Sequence, residues 1–341
     1  MVRSMAALPP YAGGKRRLLG TIFKHLPSPA EAPTFVDAFL GGGSVSLMAK
    51  ARGYRVLCND VAERALIVGM ALIENDRVRI DEADTLRLFV PRAEAGTFIV
   101  DRFAPSVLTT KHAAFLDNAL AVARSASEPK RWLLLLLLLK YVLRCRPMGN
   151  FGARTIVRQL EEGAWESMNP HYVRDALART IDGHPKALVE NIRKQVNRGI
   201  FSNGHRNRAH RMDAFEFIQK VEGDVLYLDP PYAGTSAYET GLRPLDEILV
   251  GHPIEPERSR FSRRDGIQAL GELLDLATAF PVWVLSYGNA EATLDDVVRL
   301  VQKFRPVQHA EAIRFVHCTG LAGKEHRERN RELLIVARRM S

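Results

Sequence analysis

Cysteine is scarce in this chain. Its 341 residues hold three, Cys58, Cys145 and Cys318, widely separated and never in a C-x-x-C pair. That usage argues against a disulfide framework and against a zinc site, and it suits a reducing cytosol. No apolar run approaches the roughly 20 residues of a membrane span. The most lipid-like stretch is Trp132–Val142, with leucine at every position from Leu133 to Leu139, and Lys140 interrupts it. It reads as a buried helix. Residues Met1–Pro10 lack the apolar core of a signal peptide. Apart from the leucines there is no low-complexity tract and no internal repeat. With 46% hydrophobic and 26% charged residues, the composition excludes a disordered or collagen-like chain.

Positive charge is abundant but unevenly placed. The formal net charge is +9, and a surplus of eight sits between Lys140 and Arg211, where fourteen basic residues face six acidic ones. Asn191–Arg211 holds six basic residues and no acidic one. A polyanion such as nucleic acid is the natural partner for such a stretch. Within it, Gly204-His205-Arg206-Asn207-Arg208 reads as a mobile loop able to enter a groove, although a solvated, arginine-rich helical face has the same composition. A second basic patch, Lys324–Arg331, is diluted by Glu325 and Glu328.

Short apolar runs at Thr34–Asp37 and Arg55–Asn59 are each followed by a loop and by helical periodicity, at Ser44–Arg52 and Glu63–Glu74. That alternation indicates a parallel sheet covered by helices. The pattern returns at Val225–Leu228, then in a helix over Asp265–Ala279 and a strand at Val282–Ser286. Ile313–Val316 and Leu333–Val336 suggest a final antiparallel pair. Between the two α/β blocks, about Asp76–Arg211, the chain reads as mostly helical.

Three motifs sit where chemistry is expected. Asp229-Pro230-Pro231-Tyr232 closes an apolar strand, at the end where open α/β sheets bind ligands. Two prolines fix the backbone and lack amide donors. A carboxylate, a free Pro230 carbonyl and an aromatic face then form a receptor for an exocyclic amino group on a flat ring; an Asp-Pro turn beside a core tyrosine is the plainer alternative. Gly41-Gly42-Gly43 lies between a strand and a helix, and Asp60 ends the next strand. That spacing is not G-x-G-x-x-G, and an acid there typically meets ribose hydroxyls, so a nucleoside-bearing cofactor other than NAD is indicated. Taken alone the glycines are equally a structural turn. Tyr11-Ala12-Gly13-Gly14-Lys15 is a glycine loop ending in lysine, suited to a carboxylate or phosphate, or simply solvated.

In this order the motifs resemble those of the Dam-type, or D12-class, DNA adenine-N6 methyltransferases. The matching segments are Tyr11–Lys15, Phe39–Gly43 with Asp60, Asp229–Tyr232 and, more weakly, Met212-Asp213-Ala214-Phe215. Leu285–Asn289 and Arg331–Ile335 are also family-like. Tyr11 stands where the family often has tryptophan, and Gly42 where it often has alanine. The resemblance implies a Rossmann-like α/β methyltransferase domain over residues 1–75 and 212–341, with residues 76–211 as a helical, basic target-recognition insertion. It further implies transfer of a methyl group from S-adenosylmethionine (AdoMet) to adenine N6 in flipped-out bases of double-stranded DNA, alone or in a restriction-modification system.

By the same resemblance, Asp229, Pro230, Pro231 and Tyr232 are catalytic. Tyr11, Lys15, Asp37, Gly41, Asp60, Asp213 and Asp229 hold the cofactor. Arg206, Arg208 and Arg211 are the DNA-contact candidates, no metal is called for, and the protein belongs in the cytoplasm at the nucleoid. An RNA methyltransferase acting on an exocyclic amine, and a dead methyltransferase scaffold that only binds DNA, are the competing readings. Cytosine-N4 methylation is disfavoured by Asp-Pro-Pro in place of Ser-Pro-Pro.

Overall fold

Among the described residues there are seven strands: β1 (Thr34–Asp37), β2 (Arg55–Asn59), β3 (Arg208–His210), β4 (Val225–Leu228), β5 (Val282–Gly288), β6 (Val307–Arg314) and β7 (Arg331–Arg338). The computed structural model describes residues 4–10, 14–179, 181, 183–231, 241–255, 259–263, 265–314 and 330–339. The strands form one sheet in the order β3-β2-β1-β4-β5-β7-β6. β3 to β5 are mutually parallel, whereas β7 runs antiparallel to both β5 and β6. β4 and β5 are buried along their whole length, as their unbroken apolar sequences require when helices cover both faces. The fold is Rossmann-like.

Alternate side chains divide the core in two. Phe35, Val56, Tyr227 and Val284 face one cluster, which includes the helices Ser44–Ala51, Thr110–Ser125 and Lys130–Cys145. Val36, Leu57, Leu226 and Leu285 face the other, with the helices Ala214–Lys220 and Gly266–Leu276. Much of the helical stretch between the α/β blocks therefore shares its core with the sheet. The leucine run is a buried helix, with Leu133–Leu139 all nearly inaccessible. Lys140 is buried with them, and its ammonium donates to the carbonyls of Ala6 (2.8 Å) and Leu8 (3.0 Å). Burial, aided by Arg16, pushes it down to about 7.

Three elements differ from the sequence reading. β6 begins at Val307, six residues before the expected Ile313, and the pair with β7 is antiparallel as anticipated. An edge strand is half solvated, so polar Gln308, His309 and Glu311 belong to it and its hydropathy is weak; Val316 lies outside the described residues. The helix from Glu63 is α-helical only to Val68 and continues as a wider π turn over Gly69–Glu74. β3 arises at the end of the stretch read as helical. Polar anchors hold this short strand: Val56 N donates to Asn207 Oδ1 (2.9 Å) and Ala209 N to Glu74 Oε2 (3.1 Å).

Candidate active site

β1 leads outward to β2 and β3, while β4 leads the other way to β5. The crevice between the carboxyl ends of β1 and β4 is thus the topological switch point at which such sheets bind ligands. A cleft of about 690 Å³ opens there, lined among others by Lys15, Phe39, Gly41, Asp60, Asp213 and Asp229. Its size suits a nucleoside-sized molecule. A hollow of about 760 Å³ in the helical region, lined by Phe89, Phe115 and His184, contains none of the expected site residues.

The glycine turn needs glycine at two places. Gly41 and Gly43 have φ of 50° and 76°, a region costly for other residues. A Cβ on Gly43 would also come within 2.7 Å of Val68 Cγ1. Gly41 N donates to Asp60 Oδ2 (2.8 Å), and Ala62 N to Asp60 Oδ1 (3.0 Å). Asp60 therefore ties the turn to the end of β2 while facing the cleft. Asp37, at the end of β1, is buried and accepts from Ser46 Oγ (2.6 Å) and Phe39 N (3.2 Å). Burial pushes its carboxyl up to about 7 against those hydrogen bonds, with the charges of Asp229 and Asp60 adding to the rise.

Asp213 caps the helix Ala214–Lys220 by accepting from Phe215 N (2.8 Å). Its loop is pinned by Asn59, which accepts from Met212 N (3.1 Å) and donates to Met212 O (3.0 Å). Opposite stands an aromatic wall. Phe261 meets Phe39 edge-on (centroids 5.2 Å apart) and stacks on Phe215 (5.6 Å).

Asp229 follows β4, with its side chain 19% exposed to the cleft. Lys15 Nζ lies 2.8 Å from its Oδ1 and 3.2 Å from Glu332 Oε1 on β7. Ser286 Oγ on β5 donates to the same Glu332 oxygen (2.7 Å). Burial pushes Asp229 up to about 6; Lys15 opposes that rise and Glu332 adds to it. Burial would lower the Lys15 ammonium, but Asp229 and Glu332 hold it well above its ordinary value. Lys15 thus lines the cleft with its charge already engaged by two carboxylates, a partnership the sequence reading did not include. Pro230 and Pro231 line the cleft beside Asp229. Tyr11 and Tyr232 lie outside the described residues.

A strand-end carboxylate held by a buried lysine, followed by two prolines at a switch-point cleft, narrows the chemistry to an amine receptor beside a nucleoside site. The model of the D12 class N6 adenine-specific DNA methyltransferases matches residues 11–99 and 180–251. The Type II methyltransferase M2.HphI of Haemophilus parahaemolyticus is 25% identical over 337 residues, covering 96% of each chain. The chain is similar to the D12 class over those two segments, just under half of its length. It is an enzyme that methylates adenine N6 in DNA. Neither an RNA substrate nor a dead scaffold draws support from the match.

The DNA-contact candidates of this methyltransferase part company. Arg206 is exposed just before β3. Arg208 lies within β3 and is paired with Glu74 (2.6 Å). Arg211 lines the cleft, paired with Glu63 (2.5 Å) and donating to Val61 O (3.0 Å). The segment read as a mobile loop is an exposed loop only over Gly204–Arg206. Asn207 is buried and Arg208 belongs to the sheet, because the strand edge of β2 and the Glu74 carboxylate take up their polar groups. Of the second basic patch only Asn330 and Arg331 lie among the described residues.

Cys58 and Cys145 are buried free thiols, and Cys318 lies outside the described residues. Among those residues, His25, His309 and Glu311 bring ligating atoms within 4.8 Å of one another, and none of the three lines the cleft. No helix of the described residues is long and apolar enough to cross a membrane.

Asn59, Ser46, Phe261, Glu74 and the role of Glu332 were missed in the sequence. Glu332 alone left a signal, a carboxylate heading the apolar run Leu333–Ala337.

Proposed function

We propose that the switch-point cleft binds AdoMet and that Asp229, Pro230, Pro231 and Tyr232 receive an adenine flipped from duplex DNA. The observation that carries this reading is Asp229 itself, a carboxylate that faces the cleft, lies largely out of water and is kept charged by Lys15. The cleft fits the donor on this chain's own features. Gly41 and Gly43 let a ligand approach the backbone, Asp60 offers acceptors where ribose hydroxyls would lie, and Phe215 with Phe261 offers a flat apolar face. Asp37 borders the methionine end, and Asp213 the adenine end. When bound, AdoMet supplies an electrophilic methyl group on a sulfonium.

The remaining work belongs to the protein. Adenine N6 is a poor nucleophile because its lone pair is delocalised into the ring. Asp229 and the Pro230 carbonyl, each accepting one N6–H bond, localise that pair toward the methyl carbon. The N6–methyl bond forms as the methyl–sulfur bond breaks, leaving a neutral thioether; the nitrogen becomes positively charged and then releases a proton to solvent, and Asp229 stabilises the charge while it lasts. Holding both reactants in line contributes several kcal/mol in itself. Tyr232 is assigned the stacking face for the flipped base, a contact worth roughly 1–3 kcal/mol.

Residues 76–211 are assigned to target recognition, appended to the catalytic residues 1–75 and 212–341. The family match is interrupted between residues 99 and 180, inside that stretch. The likeness to a Type II enzyme supports a place in a restriction-modification system.

Methylation-sensitive sequencing of DNA from cells expressing the protein, beside an Asp229→Ala control, tests the reading. N6-methyladenine in one short context, absent from the control, is expected; equal modification in both would sink the assignment. Two further results are expected. Asp60→Ala raises the AdoMet dissociation constant at least tenfold by calorimetry, because it removes an acceptor and frees the Gly41 turn; an unchanged constant places the ribose elsewhere. Arg206→Ala weakens duplex binding alike on all sequences and lowers the slope of log K against log salt by about 1. An identical slope would mean that Arg206 touches no phosphate.

A further inference from the structure

Glu332 is fully buried at the head of β7, opposite Gly288 of β5 and Ile313 of β6. Because β7 runs antiparallel to β5, its first residues lie at the carboxyl end of the parallel strands, two strands over from β4 and Asp229 with β5 between. Burying a carboxylate is costly, and an apolar or amide side chain in such a place is commonly as stable or more so. Stability therefore gives no reason for a second acid here.

The surroundings supply one. Lys15 is shared between Asp229 (2.8 Å) and Glu332 (3.2 Å), and Ser286 fixes the shared Glu332 oxygen from the far side. Two carboxylates and one ammonium leave a net charge of −1 behind the cleft. With Lys15 bound to Asp229 alone, the pair would be neutral and the Asp229 oxygens weaker acceptors.

We propose that Glu332 is a positioning residue for methyl transfer: it draws Lys15 partly off Asp229, so that the site keeps a net negative charge where the adenine amino group becomes cationic. The proposal rests on Asp229 as the N6 acceptor. The ionisable groups facing Asp229 are Lys15 from the amino-terminal turn, Glu332 from β7, Asp37 from β1 and Tyr227 from β4. Glu332 is the one that raises its acceptor strength through a shared cation.

The test is the pH profile of kcat, with AdoMet and duplex DNA saturating, for Glu332→Gln, Glu332→Asp and Asp229→Asn. Glu332→Gln keeps the shape and the hydrogen bonds but removes the charge. It is expected to lower kcat roughly tenfold, leave AdoMet affinity within a factor of about three, and move the acid limb to lower pH. Glu332→Asp restores most of kcat. Wild-type kcat and an unmoved acid limb in folded Glu332→Gln would overturn the proposal. If that variant does not fold, Ser286→Ala decides, since it removes the hydroxyl that holds the Glu332 charge. A lowered kcat with a displaced limb supports the role, and an unaltered profile overturns it. An active Asp229→Asn would bring down the reading of Asp229 as a charged acceptor together with this one, whereas an inert Asp229→Asn beside a wild-type Glu332→Gln removes only the role of Glu332.

Discussion

Asp229→Ala is expected to reduce single-turnover methylation of duplex DNA by a factor on the order of 10²–10³ or more, while duplex binding measured by fluorescence anisotropy stays within a few-fold. The size follows from what the carboxylate does. It accepts an N6–H bond, fixes the amine in line and faces positive charge that exists only during transfer, so its contribution falls on kcat. The fold should survive, because Lys15 keeps Glu332 as a partner 3.2 Å away and the remaining buried pair is neutral. The same residue sets a pH dependence. Burial raises Asp229 to about 6, and the ionised form is the stronger acceptor and the one that offsets the developing positive charge. Wild-type kcat is therefore level above pH 6 and falls about tenfold for each unit below it. Activity undiminished at pH 5 would show that Asp229 does not act as a charged acceptor.

Lys15→Met is expected to be nearly as damaging, with an opposite signature. It leaves Asp229 and Glu332 buried near one another without a cation, and two such carboxylates do not both stay ionised. Transfer at pH 7 should fall on the order of 10²-fold, in the range seen when one electrostatic group of a site is deleted, and then recover as pH rises and Asp229 loses its proton. The acid limb moves up, where in Glu332→Gln it moves down. Stability follows the same logic. An acid whose folded pKa lies above its unfolded value favours the folded state fully below the unfolded value and loses that benefit as pH rises through the folded one. The destabilisation of Lys15→Met, about 3–5 kcal/mol at neutral pH, should thus shrink toward pH 5. Denaturant unfolding at pH 5 and pH 8 measures it. A variant as stable and as active as the wild type at pH 7 would show that the lysine does not govern the two acids.

The opposite movements make the three charges separable. Deleting the central cation raises the acceptor's pKa, deleting the rear anion lowers it, and deleting the acceptor removes the limb altogether. A purely structural cluster would change melting behaviour in all three variants and leave the pH profile of the residual activity in place.

What could be read without a fold was read from local pattern. Val225–Leu228 and Thr34–Asp37 announce buried parallel strands because both of their faces are covered, which demands apolar side chains in unbroken runs. The acids closing β1 and β2 and following β4 mark strand ends, and strand ends are where such sheets bind ligands, so Asp37, Asp60 and Asp229 were legible before any coordinates. Seven adjacent leucines have one stable place in a compact α/β domain, a helix surrounded by core, and that is where they lie. β3 and the start of β6 were not legible. An edge strand needs hydrophobicity on neither side, and β3 is held by Asn207 and Glu74, whose partners are distant in sequence.

The sequence by itself determined the α/β class, the positions of the three strand-end carboxylates, the leucine helix and the concentration of positive charge before β4. Each depends on residues close together in the chain, whose spacing already carries the physics. Only the tertiary structure decided which charges meet. Lys15 was read as a cofactor contact, and the fold adds Asp229 and Glu332 as its partners; Arg208 was read as a DNA-contact candidate, and the fold pairs it with Glu74. Lys15 and Glu332 stand more than 300 residues apart in the chain, brought together because β7 enters the sheet antiparallel beside β5. An ion pair acts over a few ångströms, and no local pattern records which distant group the fold will place within that range.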